Sequence, residues 1–486
     1  MTGNNTKIIS ITKQHMNDKG NTKHVIAPED KVSLGKKILY GSGWFAEMTF
    51  QWTLVAFALT IFNMELGYSP LLIGVVLAIT RIWDAVTDPL MGSISDNFRS
   101  IFGRRRPFIG TGAILAGIFF IAIWFIPSGL SDTTFFITFL VLSLLFYTSF
   151  TLFSVPLLAL GYEMSADPHE RTNLMNVRVF ANSFNGIFMF SWFMTLILSN
   201  FWSGPEQGIR MVGLGFGLLM MILGLIPALT LKEKTKSYVK NQEKINVLKS
   251  IKFTFACKPF VFLVIAFFTA LFAYNIVATA YIYPLRYYVL GDDGALFGKW
   301  NGMIEASHHI ATVLMLWPIS VLSKRYGKRI ICLVAPIFFV LGSLANFFCY
   351  VPDLPYLVLI PRFLVAVGIA GLFVLVPSMI ADVVDYDEMK TGTRREGMFG
   401  AIFSWFLKLA LAIALLINGY IIDGLGVDNS LGVNQPEGSM QAIINLLAIV
   451  PVIGAVFAFY CIFKYTLSED KMYALRTELE KRRGVN

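Results

Sequence analysis

Charged residues are scarce in this chain. Lys, Arg, Asp and Glu make up 15% of its 486 residues, while hydrophobic residues make up 56% and the mean hydropathy is +0.64. A soluble globular domain is closer to a quarter charged. Apolar runs of about twenty residues recur along the chain, and each is long enough to span the hydrocarbon core of a bilayer. The composition excludes a soluble enzyme and predicts an all-α polytopic membrane protein.

Cysteine is scarce as well. The four cysteines, Cys257, Cys332, Cys349 and Cys461, are scattered, and no pair has the spacing of a metal site. Cysteines in apolar runs behave as small buried hydrophobic side chains. The sequence also contains no nucleophile with a matching base. We therefore expect neither enzymatic activity nor a bound cofactor.

The N-terminal segment lacks the apolar core of a signal peptide. Residues 1–36 are polar, contain several lysines and show no small-residue cleavage site. We interpret this segment as a disordered cytoplasmic arm. Residues 466–486 are similarly polar and are interpreted as a cytoplasmic tail.

Twelve apolar runs are candidate transmembrane helices. They form two groups of six, residues 37–231 and 258–465, because the longest internal hydrophilic segment, 232–257, lies between the sixth and seventh runs. The predicted spans are 37–62, 70–92, 107–127, 133–163, 174–199, 210–231, 258–289, 299–323, 329–351, 354–384, 398–422 and 440–465.

The distribution of basic residues predicts the orientation of these spans. Most of the 40 lysines and arginines lie in the terminal segments and in the loops on the same side. Cytoplasmic loops carry such an excess, so we expect both termini to be cytoplasmic. Topology thus explains the net charge of +9, and a nucleic-acid partner is not indicated. We expect a monomer in the lipid bilayer of a bacterial inner membrane.

The second predicted span contains the segment RIWDAVTDP, residues 81–89. A charged side chain at the centre of a bilayer costs about 2.5–3.5 kcal/mol, so such residues are functional candidates. Asp84 and Asp88 are four residues apart and lie on one helix face. Two close carboxylates favour a bound metal cation or a proton. The alternative is a structural ion pair between Asp84 and Arg81.

Hydroxyl groups occur where they would complete such a site. Thr87 flanks the two acids, and Thr151 and Ser154 precede Pro156 in the fourth span. Their oxygens are suitable ligands for a hard cation. The alternative is ordinary packing and backbone hydrogen bonding within the membrane. The coupling ion would be Na⁺ or H⁺, and the sequence does not choose between them.

Two basic residues, Arg178 and Lys408, lie inside later spans. A lone lysine at this depth needs an anionic or polar partner, which would be a substrate group or one of the aspartates. The alternative is a permanent salt bridge between two helices. Glu47 lies in the first span among aromatic residues that include Trp52, and aromatic rings beside polar groups suit a sugar.

Glu305 and His308 lie one turn apart in the eighth span, where they would serve as a proton relay or contact the substrate. The alternative is a hydrogen-bonded histidine that faces inward.

Acidic and basic residues alternate in two segments on the predicted cytoplasmic side. Paired across the two halves, they would form an inner gate. The alternative is solvated loop charge, since exposed ion pairs contribute only about 0–1 kcal/mol. The candidate gate residues are Asp96, Arg104, Arg105, Asp382, Asp385 and Arg394.

Several of these motifs resemble a known family. RIWDAVTDPLMG followed by R-S-x-x-G-R-R-R-P is similar to the span-two signature of the glycoside–pentoside–hexuronide:cation symporters, the melibiose-permease group of the major facilitator superfamily. MIADVVDYDEMKTGTRREGMFGAIFSWFLK resembles the family's junction between spans ten and eleven. YEMSADPHERTNLMNVRVFANS resembles its loop between spans four and five, and YGSGWF fits span one. The resemblance covers most of the chain.

The resemblance implies a major facilitator fold of twelve helices in two six-helix bundles and secondary active symport of a sugar with Na⁺ or H⁺. By matching position, it implies a cation site formed by Asp84, Thr87, Asp88 and Thr151. Thr87 stands where melibiose permease has asparagine. Arg178 and Lys408 would correspond to basic residues near the sugar and the cation.

Two positions depart from the galactoside-binding members. Those members carry carboxylates in spans one and four, where this chain has Met48 and Ser154, and Glu47 is offset by one residue, about 100° around a helix. Retaining the basic residues while losing two acids favours an anionic ligand, such as a uronide, an oligouronide or a sulfonated sugar. The alternatives are a neutral-glycoside symporter and a lysolipid-type transporter, since animal relatives of the family carry lysophospholipids.

Overall fold

The structure is a computed structural model. It describes residues 31–165, 168–187, 191–231, 255–392 and 396–467, together with residues 471, 472, 474, 475 and 478 of the C-terminal tail. Within these residues the regular secondary structure is helical, as the composition predicts.

Thirteen α-helices can be defined in the part of the chain that the structure describes. Their bounds are α1 Leu34–Ala58, α2 Pro70–Asn97, α3 Arg106–Trp124, α4 Asp132–Glu163, α5 Pro168–Asn185, α6 Ser191–Ile197, α7 Pro205–Thr230, α8 Lys258–Ala280, α9 Gly294–Tyr326, α10 Lys328–Cys349, α11 Leu359–Thr391, α12 Glu396–Gly424 and α13 Ser439–Lys464. Two π-helical turns, Leu59–Glu65 and Pro284–Val289, follow α1 and α8, and short 3₁₀ turns cover Pro355–Val358 and Asn429–Leu431.

Eleven of the described helices are long and apolar enough to cross a bilayer. They correspond to eleven of the twelve predicted spans. The fifth predicted span is represented by α5 and α6. Helix α5 has the polar sequence PHERTNLMNVRVFANSFN, which explains why it is not among the helices that are apolar enough to cross a bilayer.

Small residues let the helices of each half pack closely. In the first half, α3 packs against α4 and α7, and a Cβ atom added at Gly112 would lie 2.5 Å from the backbone nitrogen of Phe153. In the second half, α10 packs against α11 and α13, and Gly342 lies against the backbone of Val365. Such contacts replace the hydrophobic effect as the source of helix association in lipid.

The two halves meet mainly in the part of the molecule that lies away from the chain termini. Helix α2 packs against α12 and α6 packs against α9. A Cβ atom added at Gly74 would lie 2.8 Å from the carbonyl oxygen of Leu415, and one added at Gly419 would lie 2.6 Å from that of Pro70. On the same side, Thr195 Oγ1 donates to the carbonyl oxygen of Gly298 at 2.9 Å. The molecule is thus closed toward the face opposite the termini.

A polar cluster, here called the seam, adds to this closure. Arg286 forms an ion pair with Glu65 and donates through Nε to Asp292 Oδ1 at 2.7 Å. Tyr283 Oη donates to Asn63 Oδ1 at 2.8 Å, and Asn429 Nδ2 donates to the carbonyl oxygen of Asn63. The seam therefore joins the π-helical turns that follow α1 and α8, one from each half.

Candidate functional site

The two aspartates of α2 lie beside helices α4 and α12. Pro89 immediately follows Asp88, and because proline lacks an N–H it leaves the carbonyl of Ala85 without its usual helical donor. The side chain of Asp84 is 2% exposed, whereas that of Asp88, one turn nearer the terminal face, is 34% exposed. Since the opposite face is closed, we infer that this acid pair is reached from the terminal face.

Two hydroxyl groups lie beside the same acids. Thr151 Oγ1 of α4 lies 3.2 Å from Asp84 Oδ1 and 3.3 Å from Asp88 Oδ1, so its hydroxyl can donate to either carboxylate. Thr87 Oγ1 lies 3.2 Å from Thr151 Oγ1. The structure therefore places the four residues expected for a cation site in one contiguous group. Ser154 lies one turn further along α4 and is half-buried.

The ammonium group of Lys408 occupies the other side of the acid pair. Its Nζ lies 2.9 Å from Asp84 Oδ2 and forms a direct ion pair with Asp88 Oδ2. Lys408 belongs to α12, so the contact joins the two halves of the molecule. The lysine thus has the anionic partners that its depth in the membrane requires, and a positive charge is bound to the oxygens expected to hold the coupling ion.

Arg81 stabilises the acid pair in a different way. Its Nη2 donates to the carbonyl oxygen of Gln51 and to Tyr147 Oη, both at 2.8 Å, and its guanidinium lies 4.7 Å from the centre of the Tyr147 ring. The distance from Nη1 to Asp84 Oδ2 is 3.9 Å, which is too long for a hydrogen bond. The guanidinium therefore ties α2 to α1 and α4 and supplies a fixed positive charge near Asp84.

Helix α1 brings one carboxylate to this region. Glu47 is 4% exposed, its Oε2 has no hydrogen-bond partner among the described residues, and it lies within Coulombic range of Arg178, Asp84, Asp88 and Lys408. Its neighbour Met48 is buried in the apolar core, and Trp52 is half-buried against that core.

Arg178 of α5 lies against Trp44, one of the aromatic residues that surround Glu47 in the first span and part of the motif YGSGWF. Its guanidinium carbon is 4.2 Å from the centre of the Trp44 ring on α1. Trp44 and Arg178 are far apart in the sequence, and neither residue lies in a pattern that signals the other. Only the approach of α1 to α5 reveals this contact.

Glu305 and His308 belong to a second polar cluster, carried by α8, α9 and α11. Glu305 forms an ion pair with Arg362 and accepts a hydrogen bond of 2.8 Å from Tyr281 Oη. His308 Nε2 lies 3.3 Å from Tyr274 Oη. The predicted relay pair is therefore built into a network on helices other than those that carry Asp84 and Lys408. Arg362 lies on α11, within the tenth predicted span, and was not among the candidate residues.

Several candidate gate residues are held by partners within their own half. Arg104 forms an ion pair with Glu163, and Arg105 forms one with the same carboxylate at 2.9 Å. In the second half, Lys328 Nζ lies 2.9 Å from Asp382 Oδ2.

The remaining candidate gate residues are Asp385, Arg394 and Asp96. Asp385 lies on α11, while Arg394 and the side chain of Asp96 fall outside the described part of the chain. A gate between the two halves on this face stays a prediction.

Comparison with known proteins identifies the family of this chain. The family model described as "MFS/sugar transport protein" matches residues 39–469. The chain belongs to this family. The Bacillus subtilis (strain 168) protein named "Uncharacterized symporter YnaJ" is 29% identical to the transporter over 468 residues, which cover 94% of this chain and 96% of the relative.

A second relative and a solved structure agree with this assignment. The Escherichia coli (strain K12) protein named "Putative sulfoquinovose importer" is 26% identical over 462 residues, covering 93% of this chain and 95% of the relative. A crystal structure of a D-xylose-proton symporter has a TM-score of 0.63 at 15% identity, covering 89% of this chain and 97% of that one.

These matches confirm the predicted major facilitator fold and the resemblance to the glycoside–pentoside–hexuronide:cation symporters. The transporter is a multi-pass protein of the bacterial inner membrane that couples sugar movement to a cation, and it is not an enzyme.

Proposed function

We propose that the transporter moves Na⁺ together with an anionic sugar, such as a uronide or a sulfonated sugar, by alternating access. The observation that carries this proposal is the placement of the Lys408 ammonium on Asp84 and Asp88, beside the hydroxyls of Thr87 and Thr151. A proton needs a single oxygen, whereas this site offers carboxylate and hydroxyl oxygens together. Such a set of oxygens suits a hard cation.

Lys408 connects cation binding to substrate binding. Its ammonium neutralises part of the charge of the acid pair when no cation is bound there. Na⁺ competes with the ammonium for the same oxygens, so its arrival releases Lys408 toward the substrate. Cation binding then raises substrate affinity, and by linkage the substrate raises cation affinity by the same factor.

The balance of charges supports an anionic substrate. Without bound ligands, the charged groups of this region balance when Glu47 is ionised, since three are negative and three positive: Asp84, Asp88 and Glu47 against Arg81, Arg178 and Lys408. Adding Na⁺ leaves one positive charge in excess, and a monoanionic sugar cancels it. The sulfonate of the sugar named for the Escherichia coli relative fits this requirement.

Alternating access would use the closure described above. With cytoplasmic termini, as the basic residues predict, the present arrangement faces inward. Opening the α2–α12 contact and the seam would expose the site to the outside, and rocking of the two halves would carry both ligands across.

Transport in proteoliposomes tests this proposal. We expect an inward Na⁺ gradient to drive accumulation of a labelled glucuronide or sulfonated sugar in preference to a matched neutral glycoside. Asp84→Asn should abolish the stimulation by Na⁺, while Asp132→Asn, a control at the exposed start of α4, should leave it unchanged. Preference for the neutral glycoside, or accumulation driven by a pH gradient alone, would contradict the proposal.

One observation favours a second candidate, a lysolipid-type substrate. A cavity of about 280 Å³ between α5 and α9 is lined mainly by apolar side chains, including Phe180, Phe184 and Val313. An acyl chain fits such a surface. Inhibition of glucuronide uptake by a lysophospholipid, but not by a detergent of equal chain length, would support it.

A further inference from the structure

Two buried polar atoms on one face of α1 have no hydrogen-bond partner among the described residues. They are Nε1 of Trp44, whose side chain is 1% exposed, and Oε2 of Glu47. Buried polar groups are nearly always paired, so an unpaired donor and an unpaired acceptor call for an explanation. Residues three apart lie on the same face of a helix. The two atoms therefore present a donor and an acceptor one turn apart.

Arg178 lies at the same place. Its guanidinium carbon is 4.2 Å from the centre of the Trp44 ring, which is the geometry of a cation–π contact. A guanidinium that rests on a ring face is restricted in rotation, and its N–H groups project from its edge. This is the orientation in which arginine binds a carboxylate or sulfonate through two hydrogen bonds.

We propose that Trp44 is a specificity-determining residue of the substrate site. Its ring face positions Arg178 for the anionic group of the sugar. Its indole N–H donates to a sugar oxygen, and Glu47 Oε2 accepts from a sugar hydroxyl. The proposal rests on the proposed function, because it assumes an anionic sugar. It adds a residue that holds the arginine in place.

Three variants separate the two contributions of Trp44. Trp44→Phe keeps a ring face but removes the N–H, and we expect it to weaken binding of a nitrophenyl glucuronide by about 2- to 10-fold. Trp44→Leu removes both, and we expect a loss of about 10- to 100-fold. Trp317→Leu replaces a tryptophan on α9 that is 75% exposed and should leave binding unchanged.

Two further measurements distinguish this role from a purely structural one. The affinity for Na⁺ without sugar should be the same in all three variants, because Trp44 lies outside the group of residues around the acid pair. In the R178Q background, Trp44→Leu should weaken glucuronide binding only by the roughly 2- to 10-fold that belongs to the indole N–H, since the guanidinium that the ring positions is gone. Additive losses in this double-mutant cycle, or a parallel loss of Na⁺ affinity, would overturn the proposal.

The same measurements separate this inference from the proposed function. If the unmodified transporter binds a nitrophenyl glucoside and not the glucuronide, the anionic substrate is wrong. If it binds the glucuronide but Trp44→Leu has no effect, the substrate class stands and the role of Trp44 fails.

Discussion

Replacing Gly74 with alanine should open the contact between α2 and α12. The new Cβ would lie 2.8 Å from the carbonyl oxygen of Leu415 and 3.2 Å from Cα of Gly419. Both neighbours are backbone atoms, so the helices must separate rather than a side chain rotate. Overpacking of this kind costs about 1–3 kcal/mol. The cost applies only while the two helices touch, so it favours the state that is open on the face opposite the termini.

The size of the effect follows from that cost. A free-energy change of about 1–3 kcal/mol shifts the equilibrium between the two states by about 5- to 150-fold. Gly400→Ala is a matched control on α12, because a Cβ at that position would have no neighbouring heavy atom within 4 Å. We expect that variant to behave like the unmodified transporter.

Spin labels can measure this shift. Cysteines at Ser128 and Glu437 would place one label on each half, in exposed loops on the face opposite the termini. The four native cysteines are buried, so labelling should be selective. Electron–electron distance measurements should show a larger population at long distance in Gly74→Ala. An unchanged distribution, or the same change in Gly400→Ala, would refute the argument that this glycine contact maintains the closure.

Three other changes test the charged contacts. Lys408→Gln should raise the affinity for Na⁺ in a sugar-free titration by at least about tenfold, because a unit charge 4 Å away contributes about 4 kcal/mol at an effective dielectric constant of 20. A lower Na⁺ affinity in this variant would contradict competition between Na⁺ and the ammonium group. Glu65→Gln removes a charged partner of Arg286, and a hydrogen bond between charged groups contributes about 1.5–3 kcal/mol. The same spin-label distance should therefore lengthen. An unaltered distance would show that the seam does not maintain the closure. Glu305→Gln leaves Arg362 buried without its ion pair and should destabilise the protein by about 3–5 kcal/mol in thermal unfolding while Na⁺ affinity is retained. Lost Na⁺ coupling at unchanged stability would instead favour the relay.

The sequence predicted the number and the approximate limits of the spans because burial in lipid leaves a strong compositional signal. The fifth span was harder to define, since α5 carries polar residues and its hydropathy is low. The limits of the two halves, 37–231 and 258–465, stay predictions, as does the orientation of the termini.

The proximity of Asp84 and Asp88 could be predicted from the sequence because it depends on local helix geometry. Four residues separate Asp84 from Asp88, and any helix brings such a pair to one face. The need of Lys408 for an anionic partner also follows from its depth in the membrane. Its choice of Asp84 and Asp88 depends on the packing of α12 against α2, which no local pattern contains.

Contacts between distant segments could not be predicted either, because they depend on how the helices pack and not on a local sequence pattern. Arg286 and Glu65 are 221 residues apart, and Glu65 falls in the short segment between the first two predicted spans. The ring of Trp44 lies under Arg178 only because α5 approaches α1. The family resemblance implied a cation site at Asp84, Thr87, Asp88 and Thr151, and its span-one motif contains Trp44, but it gave neither the contact of that ring with Arg178 nor the residues of the seam.

The position of Lys408 also bears on leakage. In the proposed cycle Lys408 supplies a positive charge to Asp84 and Asp88 when no cation is bound. The binding site can therefore reorient from one side of the membrane to the other without a bound ion. A transporter that holds Na⁺ but no sugar has instead an ammonium deprived of its partners in a low-dielectric interior, and such a charge opposes the rocking movement. Lys408 would thus make reorientation slow when only Na⁺ is bound and fast when neither Na⁺ nor sugar is bound. Tight coupling of sugar transport to Na⁺ requires both.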